Sequence, residues 1–232
     1  MGKANAKVSA AEQDLTLFRE AIQVYENLLQ QEAKISSRAT SELAWADFVA
    51  LPADLRQSAI EQIVNYTGIL AQASKERISL TEDKRLSWFA IKLLKLVPPG
   101  GLLDLVGETD YTEIYNADGI QIFRNLEFYK LFSYTIADMT LYTWEQLYNR
   151  EKQIKGQIVE QGFVKGFSGQ KDPYRLVIDD HDISEARSQE ERQFHVSFGY
   201  LAPLRDQSQK VTAVFATSKI TRLGHKTSKR GA

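Results

Sequence analysis

The run Pro98-Pro99-Gly100-Gly101 divides this chain into two segments with different hydrophobic periods. Two prolines followed by two glycines stop a helix, since proline lacks an amide donor and glycine resists being fixed in one conformation. Before the run, apolar residues recur every three or four positions; after it, they alternate in twos. The change points to an α+β chain: a helical bundle over residues 1–100, then a sheet-bearing domain over 101–232.

In the first segment, Ser9-Ala10-Ala11-Glu12 reads as a capping box that opens a helix. Leu15, Phe18, Ile22, Tyr25 and Leu29 form its apolar stripe, and no glycine or proline stops it before about Ser36. A short helix is expected over Ser41 to Ala50, with Leu43, Trp45 and Phe48, closed by Leu51-Pro52. The next carries Leu55, Ile60, Ile63 and Leu70. Ser79-Leu80-Thr81-Glu82 reads as a second capping box, opening a stripe of Leu86, Phe89, Leu93 and Val97.

The second segment predicts five antiparallel strands near 111–116, 119–124, 174–180, 192–203 and 210–220. Asn116-Ala117-Asp118-Gly119 is the turn of the first hairpin. Leu126 to Gln161 is helix-compatible, and Gly162 to Pro173 reads as a glycine-punctuated loop. In the fourth strand, Phe194, Val196, Phe198 and Tyr200 fall on one face, with His195, Ser197 and Gly199 on the other.

Composition narrows the function classes. Hydrophobic residues make up 43% and charged residues 25%, enough for a packed core, and the formal net charge is −1. That balance argues against a broad nucleic-acid footprint. The absence of cysteine removes disulfides, thiolate metal sites, thiol nucleophiles and thioether-linked chromophores. No apolar run approaches the roughly 18–20 residues of a membrane span. The start, Met1-Gly2-Lys3-Ala4, has no apolar stretch after its lysine, so a cytoplasmic location is expected. The basic end, Lys226 to Arg230, reads as a frayed tail.

The order strand, strand, helices, then three strands resembles a PAS domain over about Thr109 to Arg222, near half the chain. Asp118-Gly119 followed by Ile120 to Asn125 looks like the first PAS hairpin. Phe132 to Met139, followed by Trp144, is similar to the family's helical stretch. Phe194 through Asp206 and Val211 to Thr221 resemble its closing hairpin. Lys219, Ser133 and the residue after Asp206 depart from the family's usual aspartate, glycine and glycine. The resemblance implies a sensing or docking module whose sheet and short helices enclose a small ligand. It also implies an outer sheet face that binds helices or a second copy.

The expected function is therefore a non-enzymatic signalling or regulatory protein with output through the helices or a partner. A small enzyme or ligand carrier with an aromatic-lined cavity is the alternative. The expected ligand-binding residues are Phe128, Phe132, Tyr142, Trp144, Phe194, Phe198 and Phe215. No catalytic or metal residue is expected. Asp180, Asp182, Ser184, Ala186, Ser188 and Glu191 count like a calcium loop, but Glu185 replaces the turn glycine, and an acidic solvated loop is the simpler reading. The helical stretch 126–161 offers no histidine for haem; His195 and His225 are expected to be exposed or partner-facing. The cofactor stays unknown, with a non-covalent flavin or an apolar metabolite left open. In the last strand Val211, Ala213 and Phe215 alternate with Val214, Ala216 and Ile220. Both faces thus need cover, from a homodimer, another protein partner or the chain's own helices.

Overall fold

The computed structural model describes residues 9–188 and 190–223. His225, the basic end and the first residues lie outside them. Four helices precede Pro98: α1 (Ala10–Leu28), α2 (Glu42–Ala50), α3 (Ala53–Lys75) and α4 (Asp83–Leu93). None of the described helices is long and apolar enough to cross a membrane.

The capping box forms: Glu12 N–H donates to Ser9 Oγ at 3.2 Å, and Ser9 N–H donates to Glu12 Oε2 at 2.8 Å. A π turn over Leu29–Ala33 continues α1, and left-handed Lys34 ends it. The box expected at Ser79 does not form. Ser79 Oγ accepts from the Thr81 amide and pairs with the Thr81 hydroxyl, and α4 starts after Glu82 without a side-chain cap. Buried Arg56 and Asp14 tie α3 to α1 through a 2.8 Å ion pair.

Asp83, in the first turn of α4, is buried with Oδ1 unpartnered. Burial pushes its carboxyl up to about 6; Glu127 adds to the rise, while Lys130 and a hydrogen bond from the Leu126 backbone oppose it. The folded protein thus holds a proton that the unfolded chain releases near pH ~4. Its contribution to stability is complete below that pH and is lost as pH rises through 6. Partial solvation limits the loss to about 1 kcal/mol between pH 4 and 7. Urea unfolding of the wild type and Asp83→Asn at both pH values tests this: the variant should lose less, and equal losses would refute it.

The second segment builds one curled antiparallel sheet from β1 (Tyr111–Asn116), β2 (Gln121–Arg124), β3 (Tyr148–Asn149), β4 (Tyr174–Arg175), β5 (His181–Glu185), β6 (Gln193–Arg205) and β7 (Val211–Arg222). The order is β2-β1-β7-β6-β5-β3, with β4 also on β6. Helices α5 (Glu127–Leu131), α6 (Ile136–Leu141), α7 (Trp144–Leu147) and α8 (Lys152–Ile158) intervene. The count is seven rather than five because two two-residue ladders, β3 and β4, join the longer strands.

The expected third strand, 174–180, is displaced. Only Tyr174–Arg175 of it pairs, and the main strand is His181–Glu185, inside the stretch expected to be an acidic loop. Between them, the Gln161 side chain takes the place of a strand partner. Its Nε2 donates to Val177 O at 2.8 Å, and its Oε1 accepts from Val177 N–H at 2.9 Å. A bulge at Gly199-Tyr200 also shifts β6, so that Leu201 takes over the face begun by Phe194. A Cβ on Gly199 would lie 2.3 Å from Thr217 Oγ1, which accepts from Tyr200 N–H at 2.8 Å.

The expected loop from Gly162 is also a correction, since a π turn (Val159–Val164) and α9 (Lys165–Phe167) carry α8 onward. Gly166 in α9 serves close packing. A Cβ on Gly166 would meet Val214 Cγ1 at 2.8 Å and Leu201 Cδ2 at 3.1 Å. Gly166→Val should therefore destabilise by about 1–3 kcal/mol through overpacking. Thermal unfolding at the wild-type temperature would contradict the close approach.

Cross-strand register sets two faces. Glu113, Val214, Ala216 and Val196 share the inner face; Thr112, Ile114, Ala202, Ala213 and Phe215 share the outer one. The outer apolar set joins Phe18, Tyr25, Ile63 and Leu86 of the helices in one continuous core. The apolar outer face is thus covered by the chain's own helices. The part of the outer face bearing His195 and Lys219 is polar.

Candidate functional site

The inner face is roofed on one side by α5–α7 and β3, and on the other by α8 and α9. Phe132 centres the first cluster, its ring 4.6 Å from Phe194, 5.5 Å from Phe128 and 5.3 Å from Tyr148. Ile154, Ile158, Leu176, Leu201 and Val214 form the second. Between the clusters lies a cavity with about 60 Å³ of open space. Glu113, Tyr115, Trp144 and Tyr148 also line an outer cavity of about 270 Å³ toward α3 and the β1–β2 hairpin.

Four of the expected ligand residues, Phe128, Phe132, Trp144 and Phe198, line the inner cavity. Phe194 backs Phe132 on the same side. Tyr142 turns to the outer cavity and donates its hydroxyl to Asp47 of α2. Phe215 does not belong with them: it points to the outer face and is fully buried among the helices. The reason is register, because Phe215 pairs with Ile114 and Ala202 while its neighbours Val214 and Ala216 face the cavity.

Several lining residues escape the sequence reading. Phe163 stacks on Trp144 and meets Tyr115 edge-on, which a loop assignment concealed. Tyr115 and Glu113 alternate with Ile114 in β1, a pattern that does signal a shared face. Arg150, between β3 and α8, gave no local signal.

The cavity walls are apolar, but Glu113 and Arg150 stand on its lining. Glu113 Oε1 accepts from the Tyr115 hydroxyl at 2.7 Å and from the Gln121 amide. Burial raises the Glu113 carboxyl, opposed by those bonds and by the charges of Arg124 and Arg150. The Arg150 guanidinium lies 5.0 Å from the Tyr148 ring centre and 5.5 Å from that of Trp144. Its Nε is sealed from solvent without a hydrogen-bond partner, and burial lowers its affinity for the proton. Such a site can enclose an apolar body and orient one polar end.

The histidines stand apart. His181 packs on Phe198, and burial holds its ring below the usual histidine range. His195 Nδ1 lies 2.8 Å from Asp182 on the polar part of the outer face. The calcium-loop count is overturned by geometry: Asp182 and Ser184 lie in β5, and Ser188 instead donates to Glu185. No group of three or more metal-ligating side chains converges among the described residues. No family model matches the chain, and no curated protein is significantly similar to it in sequence.

Proposed function

We propose that this chain is a non-enzymatic regulatory protein in which a PAS-like module senses a small ligand and the N-terminal helices carry the output. One observation carries the reading. The strands that wall the inner cavity are the strands whose opposite face packs on α1–α4. Glu113 and Tyr115 border the cavity, whereas Ile114 between them lies in the helical core; Val214 and Ala216 flank Phe215 in the same way. A ligand that shifts β1 or β7 must therefore shift the seat of the helices, because both sets of side chains hang on one backbone. A surface formed by rearranged helices is the proposed route to a protein partner or second copy.

Mass spectrometry of the natively purified chain, together with thermal shifts against a metabolite panel, tests ligand binding. Hydrogen exchange with the best stabilising compound tests the output: slowed exchange is expected in β1 and β7, with altered exchange in α3. A panel without a stabilising compound would remove the sensing reading. Binding that leaves α1–α4 unchanged would remove the helical output.

A further inference from the structure

Counted over the inner cavity and the outer one beside it, the charges near Glu113 do not balance. Two guanidiniums act on the one carboxylate of Glu113: Arg124, buried beside the outer cavity, and Arg150, half-buried on the inner one with its Nε sealed from solvent. Arg124 spends one Nη donor on Met139 O at 2.7 Å and lies beside the Phe128 ring. Arg150 is held between aromatic rings, and its buried Nε is unpartnered. Glu113 is occupied by the Tyr115 hydroxyl and the Gln121 amide rather than by either arginine. A guanidinium whose Nε is sealed from solvent with no partner among the described residues is costly to keep, so a cation retained there calls for an anion.

We propose that the cavity takes a small carboxylic acid with an apolar body, its carboxylate on Arg150 and its body against Phe128, Phe132, Ile183 and Phe198. The proposal rests on the sensing reading above and names its ligand class. A guanidinium offers a planar fork of N–H groups that matches a carboxylate, and the rings of Trp144 and Tyr148 hold that fork in place. A single net positive charge suits a monocarboxylate better than a phosphate monoester, whose second charge would enter apolar surroundings unmatched. The narrow inner space fits a short alkyl or single-ring body, with the outer cavity beside it to admit a longer one.

The test is isothermal titration of the full chain with hexanoate, octanoate and phenylacetate, each beside its matching primary alcohol. The wild type should bind the acids at least about tenfold more tightly than the alcohols. Arg150→Gln and Arg150→Met should bring the acids down to the alcohols and leave the alcohols unchanged, whereas Arg150→Lys keeps part of the preference. Without ligand, Arg150→Met should unfold at a higher temperature than the wild type, because an apolar chain replaces an unpaired charge. Equal binding of acids and alcohols to the wild type overturns the carboxylate assignment and leaves sensing intact. Failure of both series to bind overturns the assignment and removes support for the sensing reading too. The wild-type comparison decides the matter even where a variant fails to fold.

Discussion

Glu185→Ala is expected to lower the unfolding free energy by about 3–5 kcal/mol, because several neutral donors lose a charged acceptor at about 1–3 kcal/mol each. Glu185 ends β5 and is 1% exposed. Its carboxylate accepts from Ser133 N–H at 2.5 Å and from the Ser133 hydroxyl, from Ser188 Oγ at 2.7 Å and from Arg192 N–H at 3.1 Å. These donors come from the α5–α6 junction and from the turn between β5 and β6. One side chain therefore fixes the cavity's helical roof to the sheet. Alanine would leave buried donors without an acceptor. Glu185→Gln keeps the size but turns an amide toward donors, so it should also destabilise, though less. Urea denaturation followed by tryptophan fluorescence measures both. A loss under about 1 kcal/mol for the alanine variant would show that water replaces the carboxylate.

Phe215→Ala should cost about 3–5 kcal/mol, as expected for truncating a fully buried phenylalanine. The lost contacts lie between the helices and the outer sheet face, so stability should fall while the inner cavity keeps its lining. Circular dichroism and fluorescence should report a single shared transition, because one continuous core joins α1–α4 to the sheet. Two separate transitions, with the earlier one moved by the mutation, would mean that helices and sheet fold as independent units. The sequence pattern places Phe215 among the ligand contacts, so the contrast with Phe132 is informative. Phe132→Ala should disturb both stability and cavity, Phe215→Ala stability alone.

Much of the fold is legible where a local signal and its period agree. Ser9 and Glu12 sit where a helix needs donors and acceptors satisfied, and the box forms. β1 falls on residues 111–116 as expected, and β6 and β7 extend the expected strands by about two residues. The misreadings share a cause: partners distant in sequence. Asp180-His181-Asp182 looks like solvated loop, yet His181 and Asp182 pair with Val196 and His195 on β6. β3 pairs only with Ser184 and Glu185, so the His181–Asp182 end of β5 lies at the sheet's edge, where polar residues are tolerated because one side meets water. Gly166 looks like loop punctuation, yet it lets a helix approach Leu201 and Val214. A glycine's use depends on what lies opposite, which no local pattern encodes.

The candidate site divides in the same way. Phe128, Phe132, Trp144 and Phe198 were legible because aromatic side chains in short helices and alternating strands must be buried somewhere in a chain of this composition. The helical first half, the hairpin, the closing strands and the aromatic supply for a core follow from local sequence alone. Which face of β7 meets which core was decided only by tertiary structure. A strand apolar on both sides carries no mark of its orientation, and the register with β1 and β6 supplies it. The sealing of the Arg150 Nε at the cavity, without a partner among the described residues, is likewise a matter of tertiary structure. Burial and pairing are relations between residues far apart in the chain, fixed only when the sheet curls and its helices close over the inner face.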